Sequence, residues 1–264
     1  MAEPAYFERH GDSLHPRPFA RGGWGPLISG HVMGGLLGWA AERFVDDTDF
    51  LPARLTADLP RPAAIAPVDV ETRELRSGKR LRLVEVFVTQ DGRLVGSATG
   101  LFLRRGEQPP GAIWSPDVEM PPVPTLAHPT RTPLFVRTYG WGLPIQNPDE
   151  KWTNDDGAKY TWLRLTNPLF DDEPLTPFIR AAMAADVTAS LVNWSSEGLK
   201  FINADFTLTL SRLPQGELIG LASTDHSTHD GIATGTAAMF DERGRIGISA
   251  AVSVAQSGFS PPST

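Results

Sequence analysis

Between Gly30 and Phe44 the apolar residues Met33, Leu36, Leu37, Ala40, Ala41 and Phe44 recur every three or four positions, which predicts a helix with one buried face. Gly34, Gly35 and Gly38 interrupt the same segment and weaken an isolated helix, so it needs burial to persist. A second helix is predicted over 177–194, in "LTPFIRAAMAADVTASLVNW", with Thr176 placed to cap it and Pro177 in its first turn. Elsewhere the pattern changes to alternating or β-branched runs. "APVDVETREL", "RLRLVEVFVTQ" and "LVGSATGLFLRR" follow the first helix, the last two joined by the turn signal "DG". "LFVRTYGWG" and "YTWLRL" precede the second helix, and "FINADFTLTLSR", "ELIGLAS", "GIATGTAAMF" and "RIGISAAVSV" follow it.

These runs repeat. "LTADLPRP" at Leu55 returns as "FTLTLSRLP" at Phe206, and Arg61 to Arg212 spans 151 positions. "QDGRLVGSATGLFLRR" returns as "DERGRIGISAAVSVAQ", with Gly92 and Gly244 separated by 152. A spacing held to one residue over that distance marks a duplicated unit, with a period too long for a solenoid. Between the copies, "GEQPPGAIWSPDVEMPPVPTLAHPTRTP" is too rich in proline for a helix or a central strand. The expected organisation is an N-terminal unit over 1–105, a linker over 106–133 and a C-terminal unit over 134–264. Each unit has one long helix followed by antiparallel strands, an α+β class in which a sheet wraps a helix rather than a βαβ alternation or a sandwich.

Composition narrows the partners. Of 264 residues, 24 are Lys or Arg and 31 are Asp or Glu, a formal charge of −7 that argues against nucleic acid and leaves room for a small anion held by local arginines. No cysteine is present, which removes disulfides, thiolate metal sites and a cysteine nucleophile together. The start "MAEPAYFERHGDSLHPRPF" lacks the layout of a signal peptide and "HVMGGLLGWAA" is too short to span a bilayer, so a cytoplasmic protein without a membrane partner is expected.

Asp186 is the sharpest chemical signal. It lies on the stripe formed by Ile179, Ala182, Met183, Val187, Ser190 and Leu191, where a carboxylate must find a partner or shift its pKa. The repeat places Gly34 or Gly35 opposite it in the first helix, so only one half carries the acid. Either it is a core aspartate satisfied by nearby donors, or it performs acid–base work. "DHSTHD", with Asp225, His226, His229 and Asp230, is read as a solvated loop rather than a metal site, since it has neither a thiolate nor helical H-E-x-x-H spacing. There is no P-loop, no G-x-S-x-G and no dinucleotide fingerprint, and no metal or cofactor is expected.

"RLTADLPRPAAIAPVDVETRELRSGKRL" with "DGRLVGSATGLFLR" resembles the first half, and "MAADVTASLVNW", "FINADFTLTLSRLPQGELIGL" and "GIATGTAAMFDERGRIG" the second half, of the acyl-CoA thioesterase II-like (TesB-like) double hot-dog proteins. The resemblance implies two hot-dog units with joined sheets and an acyl chain between the helices. It also implies hydrolysis of acyl-CoA by a water held by a helix-borne aspartate, a hydroxyl or amide, and a glutamine. Carried over by position, Asp186 and Asn203 become the catalytic candidates. Gly30, His31, Gly34 and Gly35, in "ISGHVMGG", become the substrate-binding ones, because N–H groups at a buried helix start polarise a carbonyl. The alternative for these glycines is close packing of helix on sheet.

Two features fit less simply. Strict alternation with Ile202, Ala204, Phe206 and Leu208 turns Asn203 outward with Asp205 and Thr207, unless the strand start is irregular. Ala251 and Val252 stand where the glutamine belongs, and neither Ser253 nor Gln256 is in clear register to replace it. Arg61, Arg76, Arg80 and Arg212 are candidates for the CoA phosphates. An acyl-CoA binder without turnover is a second reading, and an enoyl-CoA hydratase a third, although D-x-N-P-x-H is missing. Open sheet edges predict a homodimer or higher oligomer.

Overall fold

The computed structural model describes residues 4–124, 135–139, 158–195 and 197–260. The first half contains β1 (Phe7–His10), β2 (Ser13–Pro16), α1 (Gly30–Val45), β3 (Phe50–Asp58), β4 (Val68–Ser77), β5 (Leu81–Gln90) and β6 (Arg93–Arg104). Then come β7 (Phe135–Tyr139), β8 (Tyr160–Arg164), α2 (Pro177–Asn193), β9 (Trp194–Ser195), β10 (Gly198–Leu199), β11 (Phe201–Asn203), β12 (Asp205–Leu210), β13 (Leu218–His229), β14 (Ile232–Asp241) and β15 (Gly244–Ala255). Leu134, Gly140, Trp141 and Gly142 of the predicted strand "LFVRTYGWG", and linker positions 125–133, lie outside the described residues.

The described strands, apart from the short β9–β10 pair, form one sheet in the order β1-β2-β4-β5-β6-β3-β12-β15-β14-β13-β8-β7, with β11 also on β15. The joint between the halves is β3 on β12, antiparallel, with Thr56 opposite Thr207. These threonines are 151 residues apart, the spacing of the duplication itself, and Thr207 Oγ1 donates to Thr56 Oγ1 at 3.3 Å. Each half therefore offers the same strand to the other, as in a two-fold homodimer interface. Asp91 (φ 50) and Gly92 (φ 72) make the left-handed hairpin turn that "DG" predicts.

The two helices lie antiparallel inside the sheet. Gly34 and Gly38 face Ala182, and Thr176, at the start of α2, donates from Oγ1 to Glu42, near the end of α1, at 2.5 Å. Thr176 Oγ1 also accepts from Ile179 N, the cap that the sequence predicts. The glycines serve contact of helix with helix more than helix with sheet: a β-carbon on Gly34 would lie 2.9 Å from Ala182 O, one on Gly35 2.7 Å from Met183 Cγ, and one on Gly38 2.9 Å from Ala182 Cβ. Gly34→Val is expected to destabilise by about 1–3 kcal/mol in urea titration, because overpacking outweighs the better helix propensity of valine. Around this pair Phe178, Leu36, Leu55, Phe206 and Leu208 are fully buried.

The structure adds to the sequence reading at two places and corrects it at a third. The hairpin β1–β2 extends the sheet beyond β4, and Tyr6 and Phe7 N–H groups donate to Pro168 and Leu169 carbonyls, both at 2.9 Å, so the β1 edge is closed on the second half. The described part of the proline-rich stretch runs along the outside as an irregular connection, as its prolines predict, and it packs on the outer face of the second half. Val118 and Met120 pack there on Trp162, Leu218, Ala222, Ala238 and Phe240, and Trp162 Nε1 donates to Pro121 O at 3.1 Å. Finally, "DHSTHD" is not a loop. β13 runs through His229 and turns at Asp230 (φ 49) and Gly231 (φ 76), because the alternating, threonine-rich run continues the ladder opposite β14. No helix of the described residues is long and apolar enough to cross a membrane. Two helices, each covered by antiparallel sheet and joined edge to edge, make this a double hot-dog α+β fold.

Candidate active site

From Phe178 to Val192, α2 is buried except at Arg180, Asp186 and Ser190. Asp186 and Ser190 are one turn apart and partly exposed, as are Ser29, Gly30, His31 and Asn203. Of these, Asp186 reaches the start of α1 at Gly30. A β-carbon on Gly30 would lie 2.6 Å from Asp186 Oδ2 and 2.7 Å from its Cγ, closer than any real side chain stands, so only glycine lets the carboxyl group reach this helix start.

The carboxyl group has one recorded side-chain partner: Asn203 Nδ2 donates to Asp186 Oδ1 at 2.7 Å. Burial pushes its pKa up from the ordinary carboxylate value to about 7, and the bond from Asn203 pulls the other way. An aspartate half-ionised near neutrality is a serviceable general base.

Asn203 reaches Asp186 because the strand is irregular where alternation points it outward. In β11, Asn203 pairs with Ser253 of β15, but Thr207 of β12 pairs with Ala250, so four steps on one strand meet three on the other. The extra residue is Ala204, a β-bulge between β11 and β12. It flips the parity of the chain and brings Asn203 to the face of Phe206 and Leu208. The bulge keeps its hydrogen bonds: Ala204 N donates to Val252 O at 2.9 Å, and Asp205 Oδ1 accepts from Val252 N at 2.6 Å.

The start of α1 supplies donors. The side chain of Ser29, the N-cap, makes no capping bond, and its Oγ meets His31 Nδ1 at 2.6 Å. Val32 N and Met33 N both donate to Ser29 O at 3.0 Å. The N–H groups of Gly30 and His31 have no recorded acceptor among the described residues, as expected of the first turn of a helix. The His31 ring is engaged on both nitrogens, Nε2 meeting the Tyr6 hydroxyl at 3.3 Å, and burial lowers its pKa to about 4, so it is neutral at ordinary pH. Gly34 and Gly35 are taken up by the contact with Ala182 and Met183 of α2.

Other sequence candidates lie apart from this cluster. Arg212 is held by buried Asp241, its Nη2 lying 2.7 Å from Oδ1, whereas among the described residues Arg61, its counterpart in the repeat, makes only a bond to Leu94 O at 3.1 Å. Ala251 faces inward and Val252 outward, so no side chain of glutamine type stands at that point of β15. Beyond it, Ser253 and Asn193 are buried and bonded to each other, a pair that sequence spacing leaves unseen.

Comparison with known proteins agrees with the fold. Residues 20–103 match the model of the acyl-CoA thioesterase N-terminal domain, and residues 117–254 that of the acyl-CoA thioesterase C-terminal domain. No curated protein matches the sequence. Among solved structures, the tesB protein of Mycobacterium avium subs. paratuberculosis is similar with a TM-score of 0.67 at 17% identity, over 95% of this chain and 96% of that one. Acyl-CoA thioesterase II TesB2 from Mycobacterium marinum gives 0.65 at 17%, over 95% of each chain. A hot-dog protein from Alicyclobacillus acidocaldarius gives 0.64 at 18%, over 95% and 96%. At these identities the structural likeness concerns fold, while the two domain matches cover most of the chain in the order of its own duplication. The chain belongs to the TesB-like acyl-CoA thioesterases, hydrolases built as double hot-dogs.

Proposed function

We propose that this protein hydrolyses acyl-CoA to a free acid and CoA, with Asp186 as the base that activates water. The thioester carbonyl lies against the N–H groups of Gly30 and His31. Asp186 takes a proton from water as its oxygen bonds to the carbonyl carbon, and the two N–H groups stabilise the oxyanion that forms. When the C–S bond breaks, the proton on Asp186 passes to the departing thiolate. Asn203 holds the carboxylate, and its amide has no basicity of its own. The observation that carries this reading is the meeting of Asp186 with the uncapped first turn of α1 at a position only glycine can occupy.

Release of free CoA from a panel of acyl-CoAs tests it. Turnover that disappears in Asp186→Asn supports the reading. Affinity without turnover transfers the function to the acyl-CoA binder, which the inward-facing Ala251 favours.

Asn203→Ala is expected to move the acidic limb of the rate profile to higher pH, because losing a donor to the ionised carboxylate raises its pKa further. An unmoved limb would separate Asn203 from Asp186. The same reading includes self-association through the outer sheet face, where Ile232 and Val254 are cross-strand neighbours, 56% and 49% exposed, beside Val252 and Ile248. Sedimentation should give at least a dimer, and a monomer at working concentration counts against it.

A further inference from the structure

Two buried serines face inward from β15, and their hydrogen bonds differ. Ser249 Oγ accepts from Thr188 Oγ1 at 2.8 Å and donates to Ala185 O at 2.9 Å, so its proton is used. Ser253 Oγ, 1% exposed, accepts from Asn193 Nδ2 at 3.0 Å, and no acceptor is recorded for its own proton among the described residues. Asn193 Oδ1 in turn meets His226 Nε2 at 3.0 Å. The chain has one direction: with Nε2 protonated, His226 donates to Asn193, Asn193 to Ser253, and the hydroxyl proton of Ser253 remains to be given. Each bond polarises the next, so that proton is a better donor than that of an isolated serine.

The bulge at Ala204 places this serine. Ser253 is the direct cross-strand partner of Asn203, the residue bonded to Asp186, and directly opposed side chains on one face stand about 4.5–5.5 Å apart at their β-carbons. Asn193 lies on the helix of Asp186, two turns on, beyond Ser190.

We propose that Ser253 supplies the donor that holds the attacking water beside Asp186, in place of the amide missing at Ala251, and that Asn193 and His226 are positioning residues that fix its hydroxyl. The inference rests on the assignment of Asp186 as the base. Asn193 is committed by His226 to presenting its NH2 to Ser253. His226, at the surface end of the chain, keeps the amide from turning over.

The test is steady-state kinetics on an acyl-CoA that the parent hydrolyses, with Asp186→Asn in parallel. Ser253→Ala is expected to lower kcat roughly ten- to a hundredfold with KM little changed, and Ser253→Thr, which keeps the hydroxyl, to recover most of the rate. Asn193→Ala should cost about as much, and the double variant no more than either alone, because the two act as one unit. His226→Gln, which retains an N–H in place of Nε2, should be more active than His226→Ala. A purely structural role would lower the thermal midpoint and leave kcat in place. Parent-level kcat in Ser253→Ala, with Asp186→Asn inactive, overturns this inference alone. Parent-level kcat in Asp186→Asn overturns the base assignment and the inference with it.

Discussion

Asp186→Asn is expected to slow acyl-CoA hydrolysis by roughly two to four orders of magnitude and, at neutral pH, to raise the thermal midpoint. The second effect follows from the direction of the pKa shift. Folding raises the pKa of Asp186 to about 7, so between the unfolded value near 4 and this value the folded state holds a proton that the unfolded chain has released. Its contribution to stability is fully present below about pH 4 and is lost as pH rises through about 7. Asparagine has no charge to bury and still accepts from Asn203. The start of α1 favours the anion, but a helix terminus contributes about 0.3–1 kcal/mol, less than the burial it opposes. Discounted for the partial exposure of this residue, the gain is roughly 1–3 kcal/mol at pH 8 and close to nothing at pH 4. Loss of activity with loss of stability at pH 8 would instead mark a carboxylate kept for its structural partners.

Gly30→Ala has the second largest expected effect. Its methyl group would meet the Asp186 carboxyl group at less than contact distance, so either the aspartate turns away or α1 shifts. A displacement of about 1 Å at a reacting group costs on the order of a hundredfold in rate. Overpacking costs about 1–3 kcal/mol, opposed by up to about 1 kcal/mol of helix propensity. If the clash is the cause, the stability penalty of Gly30→Ala should largely vanish in an Asp186→Ala background while activity stays absent. Additive penalties in urea titration would place the role of the glycine elsewhere.

Most of the frame was legible because it rests on periodic patterns. The apolar stripes of α1 and α2, the cap at Thr176 and the turn at Asp91 and Gly92 are local signals, and the duplicated "LTADLPRP" showed the repeat without showing that its strand joins the halves at Thr56 and Thr207. Asp186 stood out because a carboxylate on an apolar stripe carries its desolvation cost visibly in the sequence. Asn203 did not: a bulge adds one residue without altering composition, and Ala204 marks it with nothing that alternation can detect. The hairpin β1–β2 and the packing of Met120 on Trp162 were equally hidden, since both depend on contacts with distant strands rather than on local periodicity. Gly30 was conspicuous as a glycine at a helix start, but the side chain that requires it lies 156 positions further on.

The most direct test is the pH profile of kcat/KM for an acyl-CoA. An ionised Asp186 acting as base predicts a rate that climbs about tenfold per pH unit on the acidic side and levels off above a midpoint near the pKa of about 7, with no such limb in Asp186→Asn. A profile flat from about pH 5 to 9, or the same limb surviving in the asparagine variant, would contradict the assignment of Asp186 as the base.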